Sequence, residues 1–268
     1  MTLELAGALR VDMDGDALWA TINRPEIRNA INLEVIEGFE AMMATAHEQR
    51  VKVVVLRGAG RTFCSGADLH ELHRLADDPQ ALRSFMRRLG AVLDQLERAP
   101  WVTVAVVEGY AVAGGCELLL ACDIVLTAFD ARIGDRHVEY GLVPAAGASV
   151  RLPRAIPPAL ARYLLLTGEM LSGQEAVDHG LATIAVEAQD LEDEAERIAS
   201  RLLSRGHATL KTVKAMLADG RRDDASRLGR ELDLFLAHVA TSPDARAGLA
   251  AFRDGVRPVF DADTDVLA

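Results

Sequence analysis

Apolar residues run along this chain in two rhythms. Short, mostly apolar runs, at residues 51–56, 102–107 and 124–128, alternate with longer stretches where apolar residues return every three or four positions. The first rhythm predicts buried strands and the second predicts helices with one apolar side. Over 33–49, Val35, Ile36, Phe39, Met42 and Met43 form such a side, and Asn32 stands where an N-cap belongs. Over 80–98, Leu82, Phe85, Met86, Leu89, Val92 and Leu96 form another. Residues 9–22 alternate apolar and polar around Asp14-Gly15, which predicts a hairpin. Short strands are predicted at 131–134 and 182–186, and helices near 158–166 and 173–179. From Leu191 onward the pattern is helical almost throughout, and Leu228, Leu232, Phe235 and Val239 line up along an otherwise charged segment. Strand–helix units over 1–190 followed by helices over 191–268 predict an α/β core with a helical appendix.

Composition narrows the function. The 268 residues with 50% hydrophobic content suffice for one large core. A net charge of −11 argues against nucleic-acid binding, which needs a basic face. Three cysteines, Cys64, Cys116 and Cys122, lie in or beside apolar runs and read as buried thiols of a reducing compartment rather than a disulfide framework. Cys64 and Cys116 adjoin glycine loops, so a nucleophile is an alternative, but no His or Asn partner stands nearby in sequence. The first five residues have neither a basic nor an apolar leader region, and Glu108, Glu117 and Asp123 interrupt the longest apolar stretch. No membrane span and a cytoplasmic location are the expectations. His70 and His73 lack a third ligand nearby, so no metal is expected.

Three segments carry the chemistry. In Gly109-Tyr110-Ala111-Val112-Ala113-Gly114-Gly115-Cys116-Glu117, a strand leads through a glycine turn into a buried helix, with Glu117 in its first turn. Taken alone, this is equally a tight turn with a capping glutamate. Residues 53–69 repeat the scheme, ending in Phe63-Cys64-Ser65-Gly66-Ala67-Asp68-Leu69. The third segment is Asn23-Arg24-Pro25-Glu26-Ile27-Arg28-Asn29-Ala30-Ile31.

Together, in this order and at these separations, the three segments resemble the crotonase superfamily, the enoyl-CoA hydratases and isomerases, over about residues 11–260. The resemblance implies a spiral of ββα turns with a C-terminal helical trimerisation region, and hence a homotrimer or a dimer of trimers. It implies an acyl-CoA substrate, with coenzyme A entering as part of the substrate and no other cofactor. The backbone N–H groups of Ala67 and Gly114 would form an oxyanion hole for a thioester enolate. Glu117 matches the first of the two glutamates that hydratases use for acid/base work. Substrate contacts would come from Arg28, Ala67, Asp68, Leu69, His70, Gly114 and Arg257. Arg24, Arg57 and Arg61 are further candidates to hold the CoA phosphates, each with ordinary surface charge as its alternative.

The chain departs from the family pattern in three places. The second glutamate position holds His137 when the stretch is aligned on Gly141, Pro144 and Gly147. Glu139 is a further acid/base candidate. In an extended stretch it shares a side with His137; in a helical one it points elsewhere. Asp135 is another neighbouring acid. Ala145 and Ala148 replace two of the family's glycines. In the C-terminal segment 248–260, Gly255 stands where many relatives carry a lysine that reaches a neighbour's CoA; Arg253 and Arg257 are the candidates to replace it. Three readings follow: a hydratase or isomerase with His137 in the second acid/base role; a CoA-thioester or C–C bond hydrolase or decarboxylase using the same oxyanion hole; and an inactive trimeric scaffold.

Overall fold

The computed structural model describes residues 2–5, 7–219 and 224–258. The chain opens with β1 (Thr2–Leu5), β2 (Leu9–Asp14) and β3 (Ala17–Ile22), paired antiparallel in sequence. α1 (Leu33–Glu48) follows, and the Asn32 side chain accepts a bond from Val35 N as its N-cap. Next come β4 (Val53–Gly58), α2 (Leu69–Leu75), α3 (Pro79–Arg98), β5 (Val102–Val107), β6 (Tyr110–Val112), α4 (Gly114–Leu120), β7 (Ile124–Ala128) and β8 (Arg132–Gly134). α5 (Ala148–Ala155), α6 (Pro158–Thr167), β9 (Leu171–Ser172), α7 (Gly173–Asp178) and β10 (Ile184–Val186) complete the strand-bearing part. The chain then runs through α8 (Leu191–Leu203), α9 (His207–Asp219), α10 (Asp224–Thr241) and α11 (Pro243–Arg253).

Seven strands form one sheet in the order β1-β2-β3-β4-β5-β7-β10, parallel from β3 onward. β3 and β5 are buried at every position and β4 at its first four, which is why their sequences are nearly continuous apolar runs, with Thr21 and Thr103 as buried polar members. A smaller sheet, β6-β8-β9, runs beside it, extended by single bridges between Ile31 and Ala67 and between Cys64 and Ala111. Each turn of the spiral is therefore a long strand, a short one and a helix. The expected crotonase-like α/β fold is the fold observed.

The elements that sequence pattern missed are short or irregular. β6 is three residues and β9 is two, too few for any period to register. α5 carries Pro153 in its interior and starts from Gly147 at φ 117°, neither of which signals a helix.

The helices after residue 190 fold back on the strand-bearing part. α8 buries Leu191, Ala195 and Ile198 against β4, β5 and β7. α10 packs on α3 and α5, and α11 on α2. The apolar stripe of α10 is used inside the chain: Phe235 and Val239 are buried, Leu232 packs against the same core, and Leu228 lies beside Gly147. That stripe therefore supplies no free face for a second copy.

Candidate active site

Two strand-to-helix turns meet at the centre of the molecule. After β4 the chain reaches Gly66 at φ 96°, a conformation that favours glycine. Any side chain there would strike Ala113, and its Cβ would stand 2.9 Å from Gly114 N. Conversely, a Cβ on Gly114 would stand 3.2 Å from Ala67 N. The two turns are thus in contact, and only small residues allow it. Ile31 N donates to Gly66 O and Asp68 N to Ile31 O, both at 2.8 Å, so the intervening N–H of Ala67 faces away from that ladder. Gly114 is the first residue of α4, where a helix leaves its N–H unpaired. Among the described residues neither N–H has an acceptor. Ala113 between them holds φ 50° and ψ −120°, a strained conformation for alanine, with its N–H on Gly134 O at 3.0 Å. The structure therefore brings Ala67 and Gly114 together on the wall of one cavity of about 470 Å³.

Glu117 stands one turn into α4, only 1% exposed, on the wall of that cavity. Its Oε1 accepts from Ala146 N at 2.9 Å and Ala148 N at 3.0 Å, which leaves Oε2 for the cavity. Burial pushes its pKa up to about 7; His137 opposes the rise, Glu231 and Asp135 add to it, and the Ala148 bond opposes it.

His137 lies on the same wall and opens a short 3-10 helix, His137–Tyr140. Its Nδ1 is 2.9 Å from Oδ2 of Asp135, a fully buried carboxylate that also accepts from His137 N at 3.3 Å. Burial alone would lower the imidazole pKa. The charge and bond of Asp135, joined by the charges of Glu117 and Glu231, outweigh it and raise the value to about 9. At neutral pH the ring is an imidazolium held in one orientation.

Glu139 is a correction. The 3-10 turn advances about 120° per residue, so two positions on from His137 the side chain points elsewhere. Glu139 pairs with Arg136, packs against Gly168 and is not on the cavity wall. The cysteine alternative also falls away. Cys64 and Cys116 are fully buried, and burial pushes the Cys64 thiol up to about 12 and that of Cys116 well above its ordinary value, so neither is a thiolate.

The proposed substrate contacts divide. Arg28, Asp68, Leu69 and His70 line the cavity. The Arg28 guanidinium lies 5.9 Å from the Tyr110 ring centre, and His70 meets Phe252 edge-on at 5.0 Å. Asp68 caps α2 by accepting from His70 N and is paired with Arg24 at 3.1 Å. Arg24, Arg57 and Arg61 are not on the cavity wall: Arg24 pairs with the wall residue Asp68, Arg57 with Glu192 and the Trp19 ring, and Arg61 with Glu108. Arg257 is exposed and absent from the wall of this cavity; Phe260 lies outside the described residues.

Sequence pattern gave no role to several groups that the fold brings here. Phe235 of α10 and Phe252 of α11 line the cavity with Met86 and Leu89 of α3. Glu231 of α10 is 6% exposed and bonds the loop that carries the donors of Glu117. Arg151 backs the same loop through Ala146 O at 2.7 Å and is itself paired with Asp94 and Glu97.

The sequence profile of the enoyl-CoA hydratase/isomerase family matches residues 16–263. A crotonyl-CoA hydratase from Syntrophomonas wolfei is 32% identical over 86% of this chain and 89% of its own length. The mouse mitochondrial enoyl-CoA hydratase domain-containing protein 2 is 35% identical over 89% of this chain and 82% of its own. Among solved structures, an enoyl-CoA hydratase from Mycobacterium avium subsp. paratuberculosis superposes with a TM-score of 0.84 at 30% identity, covering 95% of this chain and 98% of that one.

Proposed function

We propose that this chain, which belongs to the enoyl-CoA hydratase/isomerase family, adds water across the double bond of a 2-enoyl-CoA thioester. One observation carries the reading: two backbone N–H groups without acceptors among the described residues meet beside a buried glutamate. Two such donors aimed at a thioester oxygen stabilise the enolate that forms when the β carbon is attacked. Glu117, with its pKa near 7, takes a proton from the attacking water. The hydroxyl joins the β carbon and the electron pair moves to the thioester oxygen. His137, cationic at neutral pH, gives its proton to the α carbon. Passage of the proton from Glu117 back to His137 resets the pair. Arg28 and His70, on the cavity wall, are the candidates to hold the CoA phosphates.

A second reading, hydrolysis of the thioester or of a C–C bond, is favoured by the Asp135–His137 pair standing in place of a glutamate. Crotonyl-CoA separates the two. Hydration removes the enoyl absorbance and leaves the thioester, whereas hydrolysis releases a free thiol. Glu117→Gln keeps the shape and removes the base, so hydration should fall by about 10²–10⁴-fold. Gly114→Pro deletes one oxyanion donor and should abolish it. Thiol release without hydration replaces the first reading by the second.

The assembled form in this reading is a homotrimer or a dimer of trimers. Its support is an exposed apolar row on α9: Val213, Met216 and Leu217.

A further inference from the structure

The four successive N–H groups of residues 146–149, at the start of α5, are shared by two buried carboxylates in alternation. Glu117 takes those of Ala146 and Ala148. Glu231, which comes from α10 across the chain, takes Gly147 N and Ser149 N, the latter at 2.9 Å, and also the Ser149 hydroxyl. Three donors converge on Glu231. An ionised carboxylate is acceptor-only and satisfies all three, whereas a protonated one would aim its own hydrogen into the cluster. Glu117 has two donors, both on one oxygen, and so is the member that can hold a proton.

We propose that Glu231 is a positioning residue for the reaction at Glu117: it fixes the loop that supplies the donors of Glu117, and its negative charge across that loop strengthens Glu117 as a base. The inference rests on Glu117 handling the proton. It gives a C-terminal helix a part in the reaction through a side chain that is not on the cavity wall.

Other charged groups stand around the pair, among them Arg136 on the cavity wall, which pairs with Glu139. From the stretch before the 3-10 helix come Asp135 and His137, bonded to each other. From α5 comes Arg151, neutralised by Asp94 and Glu97 of α3. On α10 itself, Asp233 pairs with Arg83 of α3 at 2.8 Å, and both side chains are largely exposed. Asp135 and Glu231 therefore both hold the proton on Glu117 while His137 opposes them, in keeping with the balance at Glu117. Asp135 is tied to His137, so Glu231 is the charge that can be removed without disturbing the histidine's hydrogen bond.

The test is the pH profile of Glu231→Gln, read with crotonyl-CoA. With the charge gone, Glu117 becomes a weaker base. The acidic limb of kcat should move to lower pH by roughly half a unit or more, and the plateau should fall several-fold, with KM little changed. Ser149→Ala leaves both carboxylates in place but takes one donor from Glu231; the limb should move the same way by less. The infrared carboxylic-acid band that Glu117→Gln removes should titrate at lower pH in both variants, a readout independent of turnover. A folded Glu231→Gln whose limb and band stay at the wild-type pH overturns the proposal, even if its melting temperature drops. If Glu231→Gln does not fold, an unmoved limb and band in Ser149→Ala overturn it instead. Undiminished turnover in Glu117→Gln strikes the underlying reading, and that outcome is distinct from an unmoved limb in an otherwise normal enzyme.

Discussion

At the scale of single residues, the site turns on two groups whose pKa values move in the same direction for different reasons. Glu117 rises because burial penalises its charge, while His137 rises because Asp135 overcomes that same penalty. Asp135→Asn keeps the shape of the partner and removes its charge. The burial of His137 is then opposed only by the more distant carboxylates, and its pKa falls. If His137 is the proton donor, the alkaline limb of kcat, near pH 9 in the wild type, moves to lower pH, and turnover at pH 8 drops about tenfold. An unmoved alkaline limb would remove His137 from that role. Both shifts also bear on stability. Glu117 rises from 4.5 to about 7 and His137 from 6.5 to about 9, so the folded chain binds more protons than the unfolded one between these limits. The stability from His137 is fully present below pH 6.5 and is lost as pH rises through 9. Ionising Glu117 costs stability as pH rises from 4.5 through 7. Calorimetry should therefore show the melting temperature falling from pH 5 to pH 9, and Glu117→Gln should remove the lower part of that fall.

At the scale of elements, the decisive piece is the start of α5. Gly147 holds φ 117°, and a Cβ there would come within 1.9 Å of Arg151 Nη1. That guanidinium cannot move freely, because it bonds Ala146 O, Asp94 and Glu97. Gly147→Ala should cost about 2 kcal/mol or more in a denaturant titration. It should also lower turnover, because the donors of Glu117 shift with the loop. This loop marks the limit of what the sequence disclosed. The strands at 53–58, 102–107 and 124–128 were legible because burial on both faces leaves each run only one polar side chain, Arg57, Thr103 or Thr127. Glu117, Ala67 and Gly114 were legible through the family resemblance, whose motifs at 63–69 and 109–117 carry the small residues needed where two backbones touch. α5 was not, since its stability comes from carboxylates 31 and 84 residues away along the chain. Glu231 sits in a charged segment, and nothing local distinguishes a buried carboxylate there from a solvated one. The side on which Glu139 falls depended on whether its stretch turns or extends, which the sequence of 135–141 leaves open.

At the scale of the whole molecule, the helices after residue 190 belong to the site. Phe235 and Phe252 line its cavity, and Glu231 holds the loop that bonds Glu117. Residues 1–190 alone would expose the surfaces that α8 and α10 cover, so such a fragment should be inactive with crotonyl-CoA and prone to aggregate in light scattering. The assembly has to be argued from what α10 leaves over. Its stripe is used inside the chain, whereas Val213, Met216 and Leu217 on α9 stand 49%, 71% and 68% exposed. Their spacing of three and four places them on one face of the helix, and an exposed row of that kind is ordinarily covered by another surface. A second copy of this chain is the cover proposed. Met216→Glu puts a charge in the middle of the row without touching the buried side of α9, where Lys214 bonds Leu96 O and Trp101 O. Sedimentation velocity should show a trimer or a dimer of trimers for the wild type, and smaller species for Met216→Glu with secondary structure intact. A wild type that sediments as a monomer at micromolar concentration contradicts the assembly and leaves the α9 row without this use.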